Sequence, residues 1–501
     1  MIRWLRPILV FTCISCLFAQ TPVTVPRIWN ETDLASWATP VATLNVAPAH
    51  FSEEEYYRVP GDNFKTYPVY PPDREPPGYW EWLQQQKPEP LVDATKIQGT
   101  SDWISAGERA FRDLDVVLAR TNDPSSIARA RDPESFKDTY TLPDGSVLDP
   151  RWVITDKGLM LTSLDCANCH VRASKESGLL FAEPLGPWPS DLPIVRPPGL
   201  PILDFFSRTF GRLFLDEEFG TSYWRAVVVP WAPEERVDRL REMKDPRGLG
   251  PLFGNNTGTV PRTNGSPFYG SKVPDLHTLR FYRYLDATAT HRLRGPEDVA
   301  RYAALVTGAD PMEFGPHQML TTEQRRVAYR YADEVLFAIG QYLMSLEPPK
   351  NPNVAPQELV DAGSQVFNDQ GCARCHTPPE YTNGMLTPAV GFEPPAEHPY
   401  RNDIMNVSAG TDPGVAMKTR KGTGLYKVPS LRGVWYRPFL LHDGSVASLE
   451  EFFDPDRLEP THMPGGWRPP GTSNQAIQGH PFGLSLTPEQ KAALLAFLRS
   501  L

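Results

Sequence analysis

Outside two pentapeptides this chain has almost no cysteine. Six Cys occur in 501 residues. Cys13 and Cys16 lie near the N-terminus; the other four all fall inside Cys166-Ala-Asn-Cys169-His170 and Cys372-Ala-Arg-Cys375-His376. No thiol is left over for a disulfide framework. A basic excess is also missing. The 50 Lys and Arg stand against 60 Asp and Glu, a net charge of -10, so no nucleic-acid footprint is present. No stretch beyond the N-terminus is long and apolar enough to cross a bilayer. Two further absences are local: there is no His from 171 to 276 and no Met from 161 to 242. Proline, by contrast, is abundant at 54 residues, which favours long loops and stiff connections over continuous helix.

The N-terminus reads as a secretory signal over residues 1–20. Met1-Ile-Arg-Trp-Leu-Arg6 is basic, and the apolar run from Pro7 to Phe18 is too short to span a membrane. Cleavage is expected near Ala19 or Gln20. Cys16 could serve as a lipoprotein cleavage site, but Cys13 is a poor residue for that position. The expected location is periplasmic or secreted.

C-x-x-C-H is the attachment grammar of haem c: two thiols add to the haem vinyl groups and the adjacent His binds the iron. One chance occurrence is expected at roughly 10⁻³ per chain of this composition. Two copies therefore point to two covalently bound haem c groups. Structural zinc would need more Cys or His close to each motif.

The expected fold is mainly α: two cytochrome c-type haem domains with long Pro/Gly-rich loops and an N-terminal extension. Residues 21–150 read as that extension, mostly irregular. Aromatics there (Tyr56, Tyr57, Tyr67, Tyr70, Tyr79, Trp80, Trp82) are interleaved with prolines, a packing pattern more than a polymer-binding one. Helical apolar spacing runs from Glu108 to Leu118. Residues 151–347 read as the first haem domain. Phe205, Phe206, Phe210 and Phe214 fall near helical spacing there, Pro296–Val306 predicts a helix, and Thr321-Thr-Glu-Gln324 predicts a capping box opening a long helix to Leu346. Glu347-Pro-Pro-Lys-Asn-Pro-Asn353 is the stiff boundary. Residues 354–501 read as the second, cytochrome c-like domain. Its first helix is predicted over Gln357–Phe367 and its last after the capping box Thr487-Pro-Glu-Gln490.

A haem with two protein ligands passes electrons, and one with a single ligand leaves a site for peroxide or dioxygen. His170 and His376 are the proximal ligands. For the second haem the sixth-ligand candidate is His480, on the loop before the last helix, with His442 and Met463 as alternatives. For the first haem no nearby sixth ligand exists. His277, His291, His317 and Met243 could reach it only from a distance, so an open first haem is expected. Phe281-Tyr-Arg-Tyr284 is the candidate lining of the open side, and His291, Arg292 and Tyr284 are the candidate catalytic residues.

Tyr426-Lys-Val-Pro-Ser-Leu-Arg-Gly433, Phe439-Leu-Leu-His-Asp-Gly-Ser-Val446 and Leu449-Glu-Glu451, with the two C-x-x-C-H motifs, resemble the bacterial di-haem cytochrome c peroxidase superfamily over roughly residues 150–501. Two departures stand out. Fourteen residues past His442, where the family's peroxidases usually carry a Met ligand, this chain has Asp456. No removable His follows the first motif. The layout is in these respects similar to the rubber oxygenase-like branch. The resemblance implies a periplasmic haem oxidoreductase of peroxidase type, with His480 as second imidazole on the downstream haem. It implies peroxide or dioxygen as oxidant, and a small redox donor protein or quinol-chain cytochrome as partner. It also implies a calcium ion between the haem domains, to which spacing assigns no ligands. A rubber oxygenase-like dioxygenase and a non-catalytic di-haem electron carrier are the alternatives.

Overall fold

The computed structural model describes residues 25–137, 139–174, 178–183, 229–232, 259–260, 268–469 and 471–501. The signal segment, the Phe205–Phe214 pattern and Met243 lie outside the described residues. Helix outweighs strand, 32% against 14%, as a mainly α chain requires. No helix among the described residues is long and apolar enough to cross a membrane.

Each half is built on a pair of crossed helices. In the second half Gln357–Asp369 packs on Pro488–Ser500. The latter starts at Thr487, whose side chain accepts from the Gln490 N–H while the Gln490 side chain accepts from the Thr487 N–H. The crossing is close because Gly363 has no Cβ; one built there would stand 2.0 Å from the Ala493 carbonyl oxygen. One turn on, Phe367 meets Phe497 with ring centroids 5.2 Å apart. The first half repeats this device in helices Thr100–Asp113 and Asp333–Ser345. A Cβ on Gly107 would stand 1.9 Å from the Ala338 carbonyl oxygen, and one turn on Phe111 meets Tyr342 at 5.7 Å. The spacing of four between glycine and Phe, and between Ala and its aromatic partner, is the same in both pairs.

This changes three expectations. Residues 21–150 are more regular than expected, because helix Thr100–Asp113 lies inside what reads as a mostly irregular extension and packs on Asp333–Ser345. Apolar spacing from 108 to 118 caught only its end: the chain leaves the helix at Leu114, whose carbonyl accepts the Asp165 N–H at 2.9 Å. Finally, the capping-box hydrogen bonds of Thr321 and Gln324 form, but on an isolated turn. Arg330–Tyr331 then pairs in parallel with Gly61–Asp62, and the helix waits until Asp333. Burial of Tyr331, with its hydroxyl 2.6 Å from the Asp115 carbonyl oxygen, outweighs helical propensity there.

Between helix Thr100–Asp113 and the first C-x-x-C-H motif the chain forms strands Val147–Thr155 and Gly158–Thr162, which join Thr66–Val69 in an antiparallel sheet. One face of the middle strand carries Val147, Trp152 and Ile154 into an outer cluster; Leu148 packs instead with Leu164, Ala167 and Val171 around the first motif. Residues Ile28, Trp29, Trp37, Phe51 and Tyr56 share one core with Val335–Ile339, so the N-terminal segment is part of the first domain.

The two halves also match in register. Lys272-Val-Pro-Asp-Leu276 and Lys427-Val-Pro-Ser-Leu431 are the same motif 155 residues apart, and the shift also carries Ala338 onto Ala493. The two motifs bond across to the opposite half. The Lys272 N–H donates to the His442 carbonyl and the Lys427 N–H to the Ala287 carbonyl, at 2.9 and 3.0 Å. Lys272 Nζ donates to the Phe439 carbonyl, and Lys427 Nζ to that of Tyr284, at 3.0 and 3.5 Å. Every partner pair obeys the same shift, so the junction between halves has local two-fold character.

A side chain at either crossing glycine forces the helices apart. Gly363→Val and Gly107→Val are each expected to lower unfolding free energy by on the order of 1–3 kcal/mol or more. Exposed Glu358→Ala should change it little; chemical denaturation of the three variants checks this.

Candidate haem sites

In the second half, Gly371 at φ 72° turns the chain out of its helix into Cys372–Arg374. The His376 N–H donates to the Cys372 carbonyl at 2.9 Å, which sets the ring beside both thiols. The ring is buried. Its Nδ1–H donates to the carbonyls of Pro429 at 3.0 Å and Tyr381 at 3.2 Å. That fixes the proton on Nδ1 and leaves the Nε2 lone pair for a metal. Burial holds the His376 pKa below its ordinary value, favouring the neutral form that can coordinate.

His480 faces it, with ring centroids 6.3 Å apart. Two metal–nitrogen bonds of about 2 Å each, plus the two half-rings behind them, span about 6 Å. One haem iron therefore fits between the imidazoles. His480 is at φ 49°, a costly conformation for a side chain with a Cβ, and it follows Gly479 at φ 92°. The loop is pinned from behind. The His480 N–H donates to the Ala409 carbonyl at 2.6 Å. Arg457, 0% exposed, sends Nε to the Phe452 carbonyl, Nη1 to that of Ile477, and Nη2 to those of Gly479 and His480. Burial, then His376 and Arg457, push the His480 pKa down to about 3, so it too stays neutral.

The alternatives are placed elsewhere. His442 Nε2 lies 3.2 Å from Asp412 and its ring packs on Tyr426, while Met463 is 64% exposed. Arg457 was missed from sequence; nothing distinguishes it there from other arginines.

The first motif forms the same turn. Cys166–Cys169 is a short helix, and the His170 N–H donates to the Cys166 carbonyl at 3.2 Å. Asp149 accepts from the Leu164 N–H and from Ser163, anchoring the entry strand. The Phe111 ring lies 6.4 Å from that of His170. All four thiols are unbridged. Of the distant candidates, His277 is held by Asp275 at 3.2 Å and His317 packs on Trp231. His291 is buried against Trp37, with its Nε2 3.5 Å from that of His50. Arg292 lies over the Tyr400 ring, and the Tyr284 hydroxyl donates to Asp403 at 2.6 Å. Arg292 and Tyr284 thus contact the second half, while His291 packs within the first. Among the described residues no group of three or more His, Cys, Asp and Glu is placed to hold a metal ion. Arg437 lies 3.4 Å from Asp275.

A continuous route joins the two proximal histidines. The His170 carbonyl accepts from Ala182 N–H at 2.9 Å, and the Ala182 carbonyl from Leu276 N–H at 3.1 Å. Leu276 passes to Leu279 and Leu279 to Tyr282 by backbone hydrogen bonds of 3.2 and 3.1 Å. The Tyr282 hydroxyl then accepts the Ser430 N–H at 3.2 Å, next to Pro429, whose carbonyl holds His376.

No family model and no curated protein matches this sequence. Among solved structures it is similar to a hydrazine synthase of Kuenenia stuttgartiensis, at 13% identity and a TM-score of 0.28, over 56% of this chain and 86% of that one. It is similar to a MauG-like protein associated with microbial copper homeostasis, at 20% identity and a TM-score of 0.24, over 40% of this chain and 65% of that one. It is also similar to a variant of the diheme peroxidase BthA of Burkholderia thailandensis, at 15% identity and a TM-score of 0.27, over 51% and 76%. TM-scores this low carry no argument about fold or function.

His50, unremarked in the sequence, gives the site region a pH signature. Burial lowers its pKa from 6.5 to about 4. It stays neutral in the fold while the unfolded chain takes up a proton, so its contribution is full above about pH 6.5 and is lost as pH falls toward 4, a change on the order of 3 kcal/mol. His50→Leu is expected to flatten that part of the stability–pH curve, read by denaturation from pH 7 to 4.

Proposed function

We propose that this chain is a di-haem c-type oxidoreductase that uses peroxide at its first haem and moves electrons through its second. Cys166 and Cys169 carry one haem with His170 as ligand; Cys372 and Cys375 carry the other between His376 and His480. The observation that carries the reading is the facing pair His376–His480 at 6.3 Å, with the His376 proton fixed on Nδ1 by two carbonyls. Among the described residues of the first half, no ring is placed opposite His170 as His480 is placed opposite His376. The 155-residue shift takes His480 to Arg325, which has no lone pair to give a metal and is held by Glu55 and Glu313. Haem iron bound there would supply one-electron chemistry at both sites and a binding point for peroxide or dioxygen at the first.

The remaining roles belong to the protein. Arg457 keeps the His480 loop closed. Tyr282 is one hydrogen-bonded bridge between the halves, on the route that joins His170 to His376. Lys427 Nζ stands 4.0 Å from its ring centroid, which makes removal of an electron from that ring costly. Tyr282 therefore couples the sites through its hydroxyl rather than as a radical station. A small redox donor protein or a quinol-chain cytochrome in the periplasm would supply electrons.

Optical and EPR spectra of the protein as isolated and half-reduced test this. The expected result is one high-spin and one low-spin haem; two low-spin haems that bind no exogenous ligand would leave an electron carrier. Oxygen uptake without peroxide consumption would make the chain an oxygenase. His480→Ala should convert the second haem to high spin, and Arg457→Met should do so in part while costing on the order of 3 kcal/mol, since it strands four carbonyls, two of them fully buried. Tyr282→Phe should leave both spectra intact and slow electron passage between haems, measured by rapid mixing of half-reduced protein with peroxide.

A further inference from the structure

The 155-residue shift pairs Arg437 with Tyr282 and Ser430 with Asp275. Tyr282 of the first half accepts the Ser430 N–H of the second. In the matching place Arg437 of the second half meets Asp275 of the first, Nη2 to Oδ2 at 3.4 Å. One crossing is neutral. Its copy is an ion pair whose side chains are only 7% and 4% exposed.

Arg437 also reaches the proximal side of the second haem site. Its Nη1 donates to the Ser430 carbonyl at 2.9 Å, and its Nη2 donates to that of Arg432. One residue before Ser430, the Pro429 carbonyl takes the His376 proton. Arg437 Nε is buried with no hydrogen-bond partner among the described residues. Asp275 is shared, since it also accepts from the Tyr436 hydroxyl at 3.0 Å and the His277 N–H at 3.2 Å. The guanidinium charge is therefore only partly answered. Burial is the main reason the His376 pKa is low, and Arg437 adds to it by resisting positive charge on that ring.

Ferric haem carries one positive charge more than ferrous haem. A buried cation beside the axial ring favours the ferrous state, and its field is screened less there than in water. The hydrogen bonds from His376 Nδ1 work the other way, because they make the ring a stronger donor to ferric iron. We propose that Arg437 holds the reduction potential of the second haem up, and that Asp275, reaching over from the first half, holds it back. This role rests on His376 being an iron ligand, as proposed above; the oxidant and the first haem's axial state do not enter.

Potentiometric titration of the full-length, haem-loaded protein tests it, followed at the low-spin haem's optical band. Burial, then Arg437, bring the Lys272 pKa down to about 7. At neutral pH a proton gained on Lys272 would partly replace the lost charge, so readings belong at about pH 6. Arg437→Gln should lower the reduction equilibrium constant by about tenfold, or about 59 mV for one electron. Asp275→Asn should shift it upward. Arg437→Lys should recover most of what Gln loses, which separates charge from packing. All three should keep the low-spin spectrum. Equal shifts in the Gln and Lys variants would overturn the proposal, as would potentials unmoved in both Arg437→Gln and Asp275→Asn on an intact spectrum. Absence of haem at the second motif of the unmodified protein would sink the parent reading, and this role with it.

Discussion

Two neutral imidazoles held face to face constrain the whole second half of this protein. His376 is fixed by carbonyls of Tyr381 and Pro429, from two separate segments. His480 sits in a backbone conformation that favours glycine, so its position must be imposed from outside. Arg457 does this with a guanidinium that meets backbone carbonyls on the loop and on the turn at Phe452. The packing of Gln357–Asp369 on Pro488–Ser500 fixes where both ends of this arrangement start. Loss of the glycine crossing, of the arginine or of either ring would be felt at the same place.

The two C-x-x-C-H turns were legible in the sequence because their residues stand at fixed local spacing. The Gln357 helix, the Thr487 cap and the standing of His480 before the last helix were legible for a similar reason: each is local. What was not legible is non-local. The Thr100–Asp113 helix is cut off from its haem motif by an inserted sheet, so no periodicity links the two. Arg330 and Tyr331 have helical surroundings, yet strand pairing with Gly61–Asp62 claims them. The internal match of Lys272-Val-Pro with Lys427-Val-Pro is too short to notice until the hydrogen bonds show that both motifs do the same job. Arg457 became visible only once the carbonyls around it had positions.

The two halves share helix crossing, motif turn and Lys-Val-Pro segment. The 155-residue shift sets Arg325 against His480 in sequence, and Arg325 is engaged by Glu55 and Glu313. The N-terminal residues, read as a mostly irregular extension packed on the rest of the protein, share the first half's core and supply Glu55 to Arg325.

The reciprocal lysine bonds bear on how such a molecule can be divided. Lys272 belongs to one half but satisfies carbonyls of the other, and Lys427 returns the favour. Cutting the gene at the proline-rich linker would leave each product with stranded oxygens and a homeless ammonium group. The linker is thus a seam in sequence but not in stability, and a shorter ancestor with one copy of the plan would have had to pair with a twin of itself to close the same surface.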